Sequence, residues 1–157
     1  MLEAILLIIA ATISAFITFF IIHKKRQKVL YISFILIIGF FASWFTHTLV
    51  LSGYLAFPWR PFSSYTLNNI VYDLLFLPST TLLFIWISVT YKRYFILSIW
   101  FAIFKVIQDY LLIKYTLLLE FISWTLLHTF ISSFIFFYLY LFLYIHLVHR
   151  IQEEKDA

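Results

Sequence analysis

Five ionisable residues interrupt the long apolar stretches of this sequence: His47, Asp73, Lys105, Asp109 and His128. Within a membrane, such groups are costly, and they commonly mark proton relays, ion paths or ligand sites. The two histidines are also the residue type that ligates a metal or a haem, but no motif accompanies them, so we predict neither a metal site nor a cofactor. The five residues form the candidate intramembrane polar cluster of this chain.

A structural role competes with a functional one at several of these positions. Lys105 and Asp109 are separated by four residues, so they can pair on one helix face and neutralise each other. Asp73 follows Asn69 closely and falls in the first turn of a predicted helix, where a carboxylate stabilises the helix N-terminus. Glu120 has the same relation to the next predicted helix, and there the structural role is favoured. For Asp73 and for the Lys105–Asp109 pair both roles stay open.

The composition requires a membrane around these residues. Of 157 residues, 64% are hydrophobic and only 11% are charged, whereas a soluble domain has about a quarter of its residues charged. The formal net charge of +4 does not indicate nucleic-acid binding, because the basic residues lie in short hydrophilic breaks between apolar runs. Cysteine is absent and glycine occurs twice, which excludes thiolate chemistry and disfavours the glycine-rich nucleotide loops.

Five apolar runs predict an all-α bundle of about five transmembrane helices in a single domain. The predicted helices are about residues 2–22, 29–51, 70–91, 94–113 and 118–148, with a loop at 52–69 and a tail at 149–157. Each run can cross a hydrocarbon core of about 30 Å. None shows the period-two alternation of a barrel strand, and a helix satisfies its own backbone in lipid.

The basic residues predict the orientation of these helices. One side of the membrane receives eight of them: Lys24, Lys25, Arg26, Lys28, Lys92, Arg93, Arg150 and Lys155. The other side receives Arg60 and Lys114. Cytoplasmic loops carry the excess of Lys and Arg, so the N-terminus is predicted outside and the C-terminus inside. The loop 52–69 is then external, and Trp59 and Arg60 are its candidate contact residues at headgroup depth.

The predicted helices place the ionisable residues at similar depth. Counting about 1.5 Å per residue from the cytoplasmic helix ends places His47, Asp73 and His128 about 27 to 28 Å from that edge. Asp109 lies about one turn closer to the centre of the membrane, and Lys105 lies near the midplane. Small and hydroxyl residues share these helix faces and favour close helix contact. We therefore expect His47, Asp73, Asp109 and His128 to face the bundle interior in the outer half of the membrane, with Lys105 on an inward face near the midplane.

Several short motifs resemble those of small, uncharacterised membrane proteins of Bacillus-type spore-forming Firmicutes. The matching residues are Gly53-Tyr54-Leu55, Pro58-Trp59-Arg60, Tyr72-Asp73, Pro78, Glu120 and Trp124. The resemblance covers about half of the chain and implies a multi-pass protein of a bacterial plasma membrane. It implies no activity, catalytic residue or cofactor. Between Asp109 and Glu120 this chain lacks the basic and glycine residues of the family, which shortens the turn there.

Three functions are compatible with these features. The first is a non-enzymatic accessory protein or subunit that acts through helix association, and a packed interior would favour it. The second is a small transporter or channel, which needs a cavity that reaches both faces. The third is a membrane-embedded enzyme acting on lipid, which needs an outer cavity that opens sideways. The predicted partners are the lipid bilayer and either a second copy or another membrane protein, with no role for nucleic acid.

Overall fold

A computed structural model describes residues 2–23, 28–59, 69 and 71–149 of the chain. It contains helices α1 (Leu2–His23), α2 (Lys28–Leu51), α3 (Leu77–Tyr91), α4 (Tyr94–Tyr115) and α5 (Leu126–Leu143). A π-helical segment, Tyr72–Phe76, precedes α3, and another, Tyr144–His149, continues α5. With these extensions the described residues provide five spans of 20 to 22 apolar residues. The predicted bundle of five membrane-spanning helices is thereby confirmed.

Helix α3 is the centre of the bundle, because it packs against each of the other four helices. Helices α4 and α5 form the closest pair. The turn between α3 and α4 is tight: Lys92 adopts a left-handed conformation (φ 54°) and donates its N–H to the Ser88 carbonyl. Helices α3 and α4 consequently run in opposite directions. We call the end where α2 and α4 finish the strand end, and the end with the Lys92 turn the opposite end.

The π-helical segment before α3 has a local cause in Pro78. Proline has no N–H, so the carbonyl four residues earlier loses its α-helical donor. The backbone upstream widens, and the N–H of Leu77 bonds instead to the carbonyl of Tyr72, five residues back. Tyr72 and Asp73 are both buried in this segment. The proline thus accompanies a backbone distortion where two consecutive polar side chains face the interior.

The fifth helix begins at Leu126, not near residue 118 as the apolar run predicted. Thr125 caps it, its hydroxyl accepting the N–H of His128. The preceding residues form β2 (Glu120–Phe121), which pairs antiparallel with β1 (Leu55–Ala56). Glu120 therefore lies exposed in a short strand, and its predicted role at a helix N-terminus is wrong.

Two apolar clusters divide the interior along the bundle axis. The larger fills the half toward the opposite end and includes Phe84, Phe137 and Tyr140. The smaller lies under the β1–β2 pair at the strand end and includes Leu49, Phe57 and Leu119. Between the two clusters lies the layer that contains the buried ionisable residues.

Candidate ligand-binding site

Lys105 and Asp109 form a buried ion pair on the inner face of α4. Their exposed fractions are 8% and 4%, and Lys105 Nζ donates to Asp109 Oδ1. The Lys105 ammonium also lies 5.1 Å from the centroid of the Tyr72 ring, within cation–π range. Two charges removed from water need such partners, because an isolated ion in a low-dielectric interior is costly.

A chain of hydrogen bonds extends from this pair toward α1. The Tyr72 hydroxyl donates to Asp109 Oδ1 at 3.0 Å. Gln108 Nε2 donates to the same hydroxyl at 3.1 Å. The hydroxyl has one hydrogen, and an ionised carboxylate only accepts, so Tyr72 must donate to Asp109 and accept from Gln108. This order fixes the orientation of the Gln108 amide and directs its carbonyl oxygen away from Tyr72.

Asp73 occupies the same layer from the π-helical segment. It is fully buried, and the Thr46 hydroxyl on α2 donates to its Oδ2 at 2.8 Å. Asn69, also buried, accepts the N–H of Tyr72 on its side-chain oxygen at 3.3 Å. The ionisable groups are thus held by residues from α2, the start of the third span and α4.

A cavity of about 110 Å³ lies beside the ion pair. Lys105, Asp109 and Tyr72 line one side, and Thr46, Thr129 and hydroxyl residues of α5 contribute further polar groups. The remaining wall is apolar and aromatic. A water molecule needs about 10 to 15 Å³ of such volume, so this cavity, which we call the pair cavity, has room for several waters or for a small ligand group.

Aromatic side chains close the pair cavity between α2 and α5. The rings of Phe45 on α2 and Phe136 on α5 meet edge to face with centroids 4.8 Å apart. Phe45 also contacts Trp124, with centroids 6.4 Å apart. Toward the opposite end, the hydroxyls of Tyr31 and Tyr144 lie 2.7 Å apart.

The structure brings together three of the five ionisable residues that the sequence singled out. Asp73, Lys105 and Asp109 share the buried layer. His47 is half-buried and is not among the residues that line the described cavities. His128 is exposed in the first turn of α5, with its Nδ1 3.1 Å from Thr125 Oγ1. The apolar run placed His128 well inside a helix that begins near residue 118, whereas α5 begins only at Leu126.

Trp59, the first of the two predicted loop residues, has a backbone contact with the other loop of the strand end. Its N–H donates to the carbonyl of Leu117 at 2.8 Å. The second, Arg60, lies outside the described residues, as do residues 61–68 of the loop and 150–157 of the tail. Within the described part of the chain, no group of three or more His, Cys, Asp and Glu side chains is placed to hold a metal ion.

Sequence reasoning missed the residues that connect the site. Tyr72 enters the predictions only through the Tyr72-Asp73 motif, and Gln108 enters none of them although it precedes Asp109 directly. A glutamine inside an apolar helix is itself a polar group that needs partners. That signal was available, whereas the contact of Gln108 with Tyr72 depends on how two distant helices pack.

Compared with known proteins, the chain matches no protein-family model, no curated protein and no solved structure.

Proposed function

We propose that this chain is a multi-pass protein of a bacterial plasma membrane that binds a polar or amphipathic membrane ligand in the pair cavity. It acts as a binding or accessory protein, with its N-terminus outside the cell. The observation that carries the proposal is the buried Lys105–Asp109 pair on the wall of a cavity. Polar groups converging on a largely apolar cavity are typical of small-molecule sites.

The chemistry of the wall supports a ligand with both polar and apolar parts. Lys105 and Asp109 compensate each other's charge, so the wall favours neither a strong anion nor a strong cation. Hydroxyls of Thr46, Thr129 and Tyr72 offer further hydrogen-bond positions. The aromatic rings around them favour a hydrocarbon body.

The other hypotheses find less support in this geometry. A pore needs a path to both faces, and the larger apolar cluster around Phe84 and Phe137 fills the half of the bundle beyond the cavity. An enzyme with an Asp–His site needs a histidine at the cavity, and neither His47 nor His128 lines it. Pure helix association needs no cavity. Binding of a membrane molecule uses all of the observed features.

Filling the cavity tests this proposal. Ala42 lines the pair cavity on α2, and Ala42→Leu would occupy part of its volume. Native mass spectrometry of the protein, purified in mild detergent from its own membranes, would report bound molecules. We expect the wild type to retain a defined molecule and Ala42→Leu to lose most of it.

Ala4→Leu is the matched control, because Ala4 is half-buried on α1 and is absent from the linings of the described cavities. It should retain the molecule as the wild type does. Equal retention by Ala42→Leu and wild type, or a wild type that carries nothing under conditions that keep it folded, would refute the proposal.

A further inference from the structure

The α4 side of the pair cavity presents an acceptor and a donor that the described residues leave unused. Asp109 bonds both Lys105 and Tyr72 through its Oδ1 atom. Its Oδ2 atom stays accessible and has no hydrogen-bond partner among the described residues. Within the same part of the chain, the Lys105 ammonium donates only to Asp109, so it keeps hydrogens for a further acceptor. A ligand beside this pair can therefore bond to both residues at once.

Helix α5 contributes a row of hydroxyl groups to the same cavity. Thr129, Ser133 and Tyr140 follow one another at intervals of four and seven residues, which places them on one helix face, and all three line the cavity. The hydroxyls of Ser133 and Tyr140 stay accessible and have no hydrogen-bond partner in the described part of the chain. The Thr129 hydroxyl accepts the indole N–H of Trp124 at 3.0 Å. The α5 side of the cavity thus offers hydroxyls to a ligand that the α4 pair also holds.

These groups select a ligand by its hydrogen-bonding type. A carboxylate only accepts and an ammonium only donates, so the ligand must offer a donor to Asp109 and an acceptor to Lys105. A hydroxyl is the smallest group that does both. Ser133 and Tyr140 are separated by about 10 Å along the axis of α5, so one hydroxyl cannot bond to all of these groups. The ligand needs no net charge, because Lys105 and Asp109 compensate each other.

The size of the cavity and its apolar lining limit the ligand further. Its volume of about 110 Å³ holds roughly seven to eleven groups of the size of a water molecule. A glycerol unit fits this space, and a disaccharide exceeds it. Ile38, Leu77 and Phe137 are among the apolar side chains that complete the lining. A polyol attached to a hydrocarbon chain therefore matches the wall better than a free polyol does.

We propose that the ligand of the pair cavity is a lipid with an uncharged polyol head group, of which a monoacylglycerol is the simplest form. This inference rests on the proposed function and specifies the class of ligand for the same site. One hydroxyl of the glycerol unit donates to Asp109 Oδ2 and accepts from Lys105, and the other bonds to the Ser133 hydroxyl. The acyl chain lies against the apolar and aromatic part of the wall.

Native mass spectrometry with added probes tests the head group. The protein is held in an amine-oxide detergent, because maltoside detergents carry a polyol of their own. The probes are monoolein, propyl oleate, which is the same ester without the free hydroxyls, oleoyl lysophosphatidate, which adds a charge, and glycerol, which lacks the chain. We expect monoolein to bind about tenfold more tightly than propyl oleate, as hydrogen bonds to otherwise unsatisfied groups would give. It should also bind more tightly than the other two probes.

Two adjacent serines of α5 provide a matched pair of variants. Ser132 and Ser133 both line the cavity, but the Ser132 hydroxyl already donates to the Thr129 carbonyl at 3.2 Å. Ser133→Ala should lower the affinity for monoolein about fivefold and leave the affinity for propyl oleate unchanged. Ser132→Ala should change the affinity for either ester by less than about twofold. Alanine is the best helix former, so both variants should keep the fold.

The possible results separate this inference from the proposed function. Equal binding of monoolein and propyl oleate, or a loss in Ser133→Ala that Ser132→Ala reproduces, would overturn the polyol head group. If Ala42→Leu still removes a co-purified molecule in that case, the pair cavity remains a ligand site and only the ligand class is wrong. Lysophosphatidate or glycerol that binds as tightly as monoolein would overturn the uncharged or the lipid character of the ligand, respectively. A folded wild type that binds none of the probes would overturn the inference as well.

Discussion

At the scale of single residues, the sequence predicted the Lys105–Asp109 pair, and the structure confirms it. Spacing was sufficient because both residues lie on one helix, where positions four apart are neighbours. The lysine-before-acid order is the weaker orientation for such a pair, and Tyr72 supplies the additional partner that this weakness suggested. What spacing could not reveal is that Tyr72 also bonds Asp109 from the third span.

The pair predicts a specific pattern of stability. Asp109→Asn removes the negative charge and leaves Lys105 buried with no anion beside it. The free energy of unfolding should fall by about 3 to 5 kcal/mol, the usual cost of breaking a buried pair. Replacing both residues by leucine should recover most of that loss, because a matched apolar pair needs no solvation. Thermal unfolding in detergent of the wild type, the single variant and the double variant measures the difference.

Lys114→Leu is the control for removing a charge from the same helix. Lys114 is exposed in the last turn of α4, where its ammonium lies 3.1 Å from the Tyr110 hydroxyl. Its replacement should change stability by less than about 0.5 kcal/mol. An Asp109→Asn protein as stable as the Lys114→Leu protein would contradict a structural role for the buried pair.

At the scale of elements, the helix bounds were predicted within a few residues except at the start of α5. Residues 118–123 are nearly as apolar as a helix, and nothing within them indicates a strand. Glu120 and Phe121 form one because they pair with Leu55 and Ala56, which lie far away in the chain. Directly after this strand, the Tyr54 carbonyl accepts the N–H groups of Ile122, Ser123 and Trp124. Such a distant pairing has no local sequence signal. The threonine cap at Thr125 was the local sign of the true helix start.

The turn before β1 depends on Gly53, which has a positive φ of 71°. No atom lies within 4 Å of the position that a Cβ would occupy, so only the backbone opposes a side chain there. Gly53→Ala should therefore destabilise the protein by about 1 to 2 kcal/mol. Gly53→Asn should cost less, because asparagine tolerates the left-handed region. Thermal unfolding measures both.

Ser52→Ala controls for the position of the turn, since Ser52 is exposed beside Gly53. The free energy of unfolding of this variant should lie within about 0.5 kcal/mol of the wild-type value. If Gly53→Ala and Gly53→Asn are equally stable, the left-handed conformation is not what the glycine provides, and the account of this turn is wrong.

At the scale of the whole molecule, the number of spans could be predicted because hydropathy is a local property. The positions of the cavities could not be predicted. They depend on α3 packing at the centre, and on aromatic side chains that bridge α2 and α5. The depth counted along the helices was informative for Asp73, Lys105 and Asp109, which are all buried in one layer of the bundle. The same count did not place His128 in that layer: its ring is exposed in the first turn of α5, which begins at Leu126 and not near residue 118.

Orientation in the membrane is the last prediction, and it belongs to the chain as a whole. The eight basic residues assigned to one side outnumber the two on the other, so the C-terminus should be cytoplasmic and the strand end should face outward. Green fluorescent protein fused after Ala157 should fluoresce, because this reporter folds in the cytoplasm but folds poorly after export. Alkaline phosphatase fused at the same position should be inactive. Alkaline phosphatase fused after Trp59, in a chain truncated at that point, should be active.

Replacing Lys24, Lys25 and Arg26 with serine should lower the excess of basic residues on the cytoplasmic side and yield a mixture of both orientations, whereas replacing Lys114 with serine should leave the orientation unchanged. Active phosphatase at the C-terminus of the unaltered chain would reverse the orientation and place the pair cavity in the cytoplasmic half of the membrane.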